Sequence, residues 1–389
     1  VKICIVYDCL FPWTIGGAER WYRALAEHVA EGGHDVTYLT LRQWPRGEEP
    51  DIPGVLVTVV GPPMALYTRN GRRRITPPII FGLGVLWHLM KRGRRYDVVH
   101  TGGFPYFSVL ASAATRRWGG YRLIVDWVEF WRRDYWCEYL GRIGGRIGWS
   151  VQQRCVRVQQ EAICLATLTA TRLREARVNG TVTVLRGLYA GPHAGDTARR
   201  SPGVPPRTCV VYAGRLIPEK QVPALVAAVG LVRRDTPDIT LDIYGDGPDR
   251  TAVEAASNAA PARGAVSVRG FVSADDVARA LRHATCVALP STREGYGLVL
   301  VEACANGTPG VTARGEDNAA MELIVDGVNG ALAASAAPED LADAIQRVIL
   351  GGPELRNSTA QWYADHATEL SLQSSLTTVL AIYASDTSR

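Results

Sequence analysis

The sequence predicts an α/β protein built from two parallel β-sheets, each covered by helices. Three observations predict it. Apolar, strand-like runs alternate with amphipathic stretches along the whole chain. A length of 389 residues exceeds what one ordinary core organises and suits two domains. Motifs rich in Gly, Arg, Lys and Glu directly follow the apolar runs, where an open parallel sheet places its ligands. With 47% hydrophobic and 21% charged residues, the composition is that of a globular chain and excludes a disordered one.

In order, VKICIVYD reads as a buried strand rather than a secretion signal, so the chain is expected to start within its fold. GGAERWYRALAEHVAEGG reads as a helix with a glycine stop, and HDVTYLTL, YDVVHTGG and YRLIVDW as further strands. A Gly- and Pro-rich stretch at 189–207 reads as a linker. Beyond it TCVVYAG, ITLDIYGDG, AVSVRGF, TCVALP and TPGVTA supply a second set of strands, with helices between them. No internal repeat or low-complexity tract interrupts the pattern.

The chemistry concentrates in residues 290–311, PSTREGYGLVLVEACANGTPGV. Glu294 and Glu302 stand eight positions apart around a Gly-Tyr-Gly turn that opens an apolar helix. Gly295 and Gly297 let the backbone approach a ligand closely. The N–H groups at the helix start have no intrahelical partner and favour a diphosphate. The carboxylates accept hydrogen bonds from hydroxyls, which casts Glu294 against a sugar ring and Glu302 against a ribose. Gly307 and Pro309 then stop the helix. In YAGRLIPEK, Arg215 and Lys220 follow an apolar strand end five residues apart, beside Gly214. Two cations there can stabilise a diphosphate leaving group without a metal. GDGPD at 245–249 reads as a structural turn rather than a metal site, so no metal and no cofactor are expected. Eight scattered cysteines without paired short spacing read as reduced, buried thiols of a cytoplasmic protein.

GGAER, YAGRLIPEK, IYGDGP, RGFVS and EGYGLVLVEACANGTPGV occur in that order across nearly the whole chain. Together they resemble the retaining glycosyltransferases of the large GT4 family, or glycosyltransferase group 1. That resemblance implies the GT-B fold, two Rossmann-like domains facing each other across a cleft. It implies an acceptor-binding domain at residues 1–188, joined by a C-terminal helix at about 370–389, and a nucleotide-sugar domain at 208–369. It also implies transfer of a glycosyl group from a nucleotide diphosphate sugar with retained anomeric configuration. Arg215 and Lys220 would bind the diphosphate, Glu294 the donor sugar and Glu302 the ribose. Gly214, Gly295, Tyr296, Gly297 and Leu298 would line the donor site. Gly16 and Gly17 would take the phosphate side of the cleft, and Phe271 and Val272 the base, largely through backbone atoms.

Charge is unevenly divided. Residues 1–200 carry 28 Lys and Arg against 16 Asp and Glu, whereas 201–389 carry 15 against 22. The basic excess gathers in RNGRRR at 69–74 and KRGRR at 91–95, flanking IIFGLGVLWHLM. That run is too short to span a bilayer. It reads either as a buried helix or as part of a surface that docks on anionic lipid, which would make the protein peripheral at a membrane. No nucleic-acid-binding module accompanies the arginines, so no nucleic-acid partner is expected.

Residues 123–141 hold six aromatic side chains, among them Trp127 and Trp131. They read as an acceptor wall or as packing against the next helix. His100, at another strand end, either touches a substrate or closes a turn. Relatives often place a histidine where Val128 stands, which turns attention to Asp126 and Glu129 as nucleophile or base. Val128 itself suits a donor with an apolar group at C6, such as a 6-deoxysugar. Arg186 in LRGLYAG takes the place of a frequent asparagine. No residue declares itself a nucleophile, so same-face substitution is expected. The acceptor is left open among a glycan, a lipid-linked molecule and a small molecule. A nucleotide-sugar epimerase and a noncatalytic sugar-nucleotide-binding partner protein are the alternative functions.

Overall fold

The computed structural model describes residues 1–45, 47–66, 68, 73–191, 208–259 and 261–385. Val1–Thr68, Arg72–Arg186 and Gln373–Arg389 form one compact unit, and Gly187–Leu372 the body of a second. Most of the expected linker, 192–207, lies outside the described residues, as does 69–72 of the first basic cluster.

The first unit runs β1 (Lys2–Val6), α1 (Gly17–Glu31), β2 (Asp35–Leu41), β3 (Val55–Gly61), α2 (Thr76–Arg92), β4 (Val98–Gly102), α3 (Phe107–Gly119), β5 (Arg122–Trp127), α4 (Arg133–Val156), β6 (Gln160–Cys164), α5 (Thr167–Glu175) and β7 (Gly180–Val184). Its strands pair in parallel in the order β3-β2-β1-β4-β5-β6-β7. The chain starts at β1, winds outward to β3, and returns past β1 to β4. The switch point therefore lies between β1 and β4, where such sheets open a crevice at their carboxyl ends. Ile3, Ile5, Val99, Ile124 and Val125 are fully or almost fully buried, as strands covered on both faces require.

The second unit runs β8 (Cys209–Ala213), α6 (Val222–Val232), β9 (Thr240–Tyr244), α7 (Arg250–Asn258), β10 (Val266–Gly270), α8 (Ala274–His283), β11 (Cys286–Leu289), β12 (Arg293–Glu294), α9 (Leu298–Ala305), β13 (Gly310–Ala313), β14 (Asp317–Asn318), β15 (Gly330–Ala333) and α10 (Pro338–Leu370). Its sheet has the order β10-β9-β8-β11-β13-β15, again parallel, with the switch point between β8 and β11. Glycine is required at 245, where φ is +134° and an added Cβ would meet the Gly214 carbonyl at 1.9 Å. GDGPD is thus a turn that packs backbone to backbone on the loop after β8, and Leu216 N donates to Asp246 O at 3.0 Å.

The last helix, α11 (Leu372–Ala384), belongs almost wholly to the first unit. Arg122 anchors it there, donating to the carbonyls of Ile382 (2.8 Å) and Tyr383 (3.2 Å) while pairing with Glu161.

The apolar run IIFGLGVLWHLM, expected to be either buried or a docking surface, has one buried and one exposed face. Its inner face is set by glycines: a Cβ at Gly82 would meet Phe107 Cβ at 2.5 Å, and one at Gly84 the Val60 carbonyl at 1.8 Å. Phe81, Val85, His88 and Leu89 are buried with them, while Ile79, Leu83, Trp87 and Met90 point outward. His88 Nε2 lies 2.8 Å from the Tyr96 hydroxyl. Burial, helped by Arg92, lowers the His88 pKa from 6.5 to about 4. The unfolded chain therefore binds the proton more readily, and the contribution is complete above pH 6.5 and lost as pH falls toward 4. That loss reaches at most about 3 kcal/mol. Thermal melts across this range are expected to show a steeper acid-side fall for the parent than for His88→Gln, and parallel curves would contradict it.

Candidate active site

In the second unit the loops after β8 and β11, which carry Arg215, Lys220 and Glu294, meet at the β8/β11 switch point. The Tyr212 hydroxyl donates to Arg215 O (2.8 Å) and Gly214 N to Tyr244 O (2.9 Å), which fixes the loop carrying the exposed Arg215 side chain. A 3-10 turn, Pro218–Lys220, follows. Thr292 ties this turn to the loop after β11, its N–H and hydroxyl both donating to Glu219 O (2.9 and 3.2 Å). Lys220 Nζ is thereby brought onto Glu294 Oε2 in a short ion pair, with both side chains largely buried. Glu294 is positioned by β12, a two-residue strand paired with β14, where Arg293 faces Asp317 at 3.5 Å. Buried Asn318 fixes β14, donating to Ala313 O (2.7 Å) and accepting from Ala320 N (3.1 Å). Burial pushes the Tyr212 hydroxyl pKa far up, with Glu294 adding to the shift and Arg215 opposing it.

Gly295, Tyr296 and Gly297 are buried directly before α9. Gly297 is its N-cap at φ +95°, and a Cβ there would meet Ala320 Cβ at 2.6 Å, so the turn requires glycine. Leu298 begins the helix half-buried, and Glu302 stands half-buried one turn on. Burial and then the nearby Glu302 charge raise the Tyr189 pKa. Phe271, just past β10, is 71% exposed, and the neighbouring Val272 is half-buried.

In the first unit, Gly16 is the N-cap of α1 and Gly17 its first residue. A Cβ at Gly16 would meet Glu19 Oε2 at 2.3 Å, whereas Gly17 faces open space. Glu19, buried in the first helical turn, thus places its carboxyl group at that helix start. His100 and Asp126 are brought together. His100 Nε2 lies 2.7 Å from Asp126 Oδ1 and its Nδ1 2.6 Å from the Tyr383 hydroxyl, while Trp21 Nε1 donates to Asp126 Oδ2 at 2.8 Å. All four side chains are buried. Burial, then the Asp126 charge, holds the Tyr383 pKa well above its ordinary value, so the phenol keeps its proton.

The six aromatics do not form one wall. Trp127, at the end of β5, is 1% exposed and donates to Gln160 Oε1 at 2.8 Å. Trp131 is half-buried among Tyr135, Trp136 and Tyr139, at ring distances of 4.8 to 5.4 Å, and donates to Glu129 Oε2 at 2.7 Å. Gln152, fully buried on α4, organises the cluster by accepting from Tyr106 and Trp136 and donating to Trp131 O. Val128 is half-buried, and its carbonyl accepts from Thr169 at 3.4 Å. Sequence reading missed Gln152, Trp21 and Tyr383, and also the buried pair of Asp8 with Arg73, whose guanidinium lies 4.6 Å from the Phe104 ring centroid. A lone Asp just past a buried strand is the signal that would have pointed to Asp8. Among the described residues no group of three His, Cys, Asp or Glu is placed to hold a metal ion.

Two family models account for most of the chain. Residues 16–187 match a glycosyl transferase 4-like domain, and residues 196–362 match glycosyl transferases group 1. Alpha-D-kanosaminyltransferase of Streptomyces kanamyceticus is 32% identical over 41% of this chain and 40% of its own length. A D-inositol 3-phosphate glycosyltransferase of Saccharomonospora viridis is 34% identical over 49% of this chain and 46% of its own. The chain thus spans less than half the length of these curated relatives. Among solved structures, sucrose-phosphate synthase of Thermosynechococcus elongatus superposes with a TM-score of 0.80 at 17% identity, covering 99% of this chain and 98% of that one. Anabaena HepE, solved in complex with UDP-glucose, gives 0.72 at 17% identity over 99% of both chains. With the two parallel sheets and the converged Arg215, Lys220 and Glu294, these matches show that the chain belongs to the group 1 (GT4) glycosyltransferases and has the GT-B fold.

Proposed function

We propose that the chain is a retaining glycosyltransferase that moves a glycosyl group from a nucleotide diphosphate sugar to a glycan, lipid-linked or small-molecule acceptor, without a metal. The observation that carries this reading is the Lys220–Glu294 pair at the β8/β11 switch point, beside Arg215 and directly before α9. Arg215 and Lys220 bind the diphosphate, and the N-terminus of α9 adds backbone donors for it. Glu294 accepts from donor-sugar hydroxyls and Glu302 from the ribose. Phe271, exposed as it is, covers the base together with Val272. Trp131 faces the acceptor, whereas Trp127 and His100 support the fold around it.

Same-face substitution fits the carboxylates best. Asp126 already accepts from Trp21 and His100, which makes it a positioning residue, and Glu129 accepts from Trp131. The C1–O bond to the diphosphate breaks, and the acceptor oxygen bonds C1 on the face just vacated. The acceptor proton passes to the departing phosphate oxygen, whose charge Arg215 and Lys220 stabilise. All eight cysteines are unpaired and seven are buried, which supports a reducing, cytoplasmic setting.

The first test uses UDP-, GDP-, ADP- and dTDP-sugars without acceptor, with thermal shift and nucleotide release as readouts. One donor is expected to stabilise the protein and release its nucleotide slowly. Silence toward every donor would replace this reading with a noncatalytic one.

A further inference from the structure

The outer face of α2 is unpartnered within the described residues. Ile75 at its N-cap, then Ile79, Leu83, Trp87 and Met90, fall within about 120° of the helix circumference at 3.6 residues per turn. They are between 38% and 60% exposed. Single exposed apolar residues are ordinary, but five along one helical face are not. Nor can the helix rotate to hide them, because Gly82 and Gly84 lock the opposite face onto Phe107 and Val60.

The surrounding charge says what covers this face. Exposed Arg74 precedes the helix, exposed Lys91 and Arg92 close its last turn, and exposed Arg94 and Arg95 follow it. Lys91 Nζ lies 4.0 Å from the Trp87 ring centroid, and Arg94 Cζ 4.7 Å from that of Trp118, itself half exposed beside Arg117. Between Ile52 and Val125 the sequence holds one acid, Asp97, which accepts from Lys2 N at 2.7 Å. Aliphatic side chains flanked by cations, with tryptophans beside them, match the layering of a bilayer surface: acyl boundary, interface and anionic headgroup. Among the described residues no helix is long and apolar enough to cross a membrane, so contact is with the surface.

We propose that the first unit docks on the surface of an anionic phospholipid bilayer through the outer face of α2. Leu83 and Trp87 enter the headgroup–acyl boundary, and Lys91, Arg92 and Arg94 meet the phosphates. This goes beyond the transfer reading and stands or falls separately, because binding is read without donor or acceptor.

The test is co-sedimentation of the full chain with vesicles of phosphatidylcholine alone and of phosphatidylcholine mixed with phosphatidylglycerol. Binding is expected to the mixed vesicles, weakening as salt rises. Leu83→Gln with Trp87→Gln is expected to lower partition at least about tenfold. Lys91→Gln with Arg94→Gln lowers it about fivefold per cation removed. Leu350→Gln, exposed in the second unit, serves as the control and leaves binding unchanged. All these side chains are exposed, so unchanged melting curves verify folding. The proposal is overturned by absence of binding to mixed vesicles at low salt, or by binding that survives the Leu83/Trp87 change. It is equally overturned if that change instead abolishes self-association in sedimentation, which would make the face a contact between copies.

Discussion

Replacing Arg215 with alanine is expected to lower turnover by about 10²–10³-fold, with little change in melting temperature. The side chain is exposed at a strand end, so its removal leaves no cavity in the core. Under the proposed function, what disappears is a planar fork that stabilises the phosphate charge accumulating as the C1–O bond breaks. Arg215→Lys restores part of the rate, because a point charge replaces the fork without its paired geometry. Lys220→Ala behaves differently. It removes a second cation and also strands Glu294, whose side chain is 17% exposed, so activity and stability fall together. Initial rates of nucleotide release, measured beside thermal melts, separate the two. Turnover of Arg215→Ala within a few fold of the parent would remove both residues from the leaving-group site.

The largest stability effect is expected at Asp126. Its oxygens serve Trp21 and His100, and His100 in turn holds Tyr383. Asp126→Ala leaves buried donors without an acceptor and cuts the chain of contacts to α11. A loss of about 3–5 kcal/mol follows, which for a chain of this size lowers the melting temperature by roughly 5 °C. Asp126→Asn, keeping the shape and one acceptor oxygen, loses less. Calorimetry of the two variants is the measurement. An Asp126→Ala protein that melts like the parent yet transfers no sugar would return Asp126 to the chemistry.

The legible part of the fold was the part written in continuous apolar runs. KICIV, CVVYA and CVAL have no polar alternation because both faces are covered, and each is a central strand. Strands β12 and β14 were illegible, since two residues carry no period. GALA of β15 is too short and too small to stand out from a loop. In the site, Lys220 and Glu294 were readable because each sits in a motif with its own spacing. Tyr383 was not: it meets His100 from 283 positions away, and nothing in TTVLAIYA distinguishes it from a packing residue. The aromatic stretch, left open between an acceptor wall and packing, divides for a geometric reason. Trp127 closes a strand and follows its pleat into the core, whereas Trp131 lies beyond the strand end, so neighbours in sequence face different surroundings.

The placement of α11 also sets an order of assembly during synthesis. The second unit is almost one continuous stretch of chain, complete once residue 372 has emerged, whereas the first has seven strands in hand by residue 184 yet lacks its final helix until about residue 384. Until then His100 has no phenol to meet and Arg122 no helix-end carbonyls to hold. The unit translated first is therefore the unit whose last element is made last.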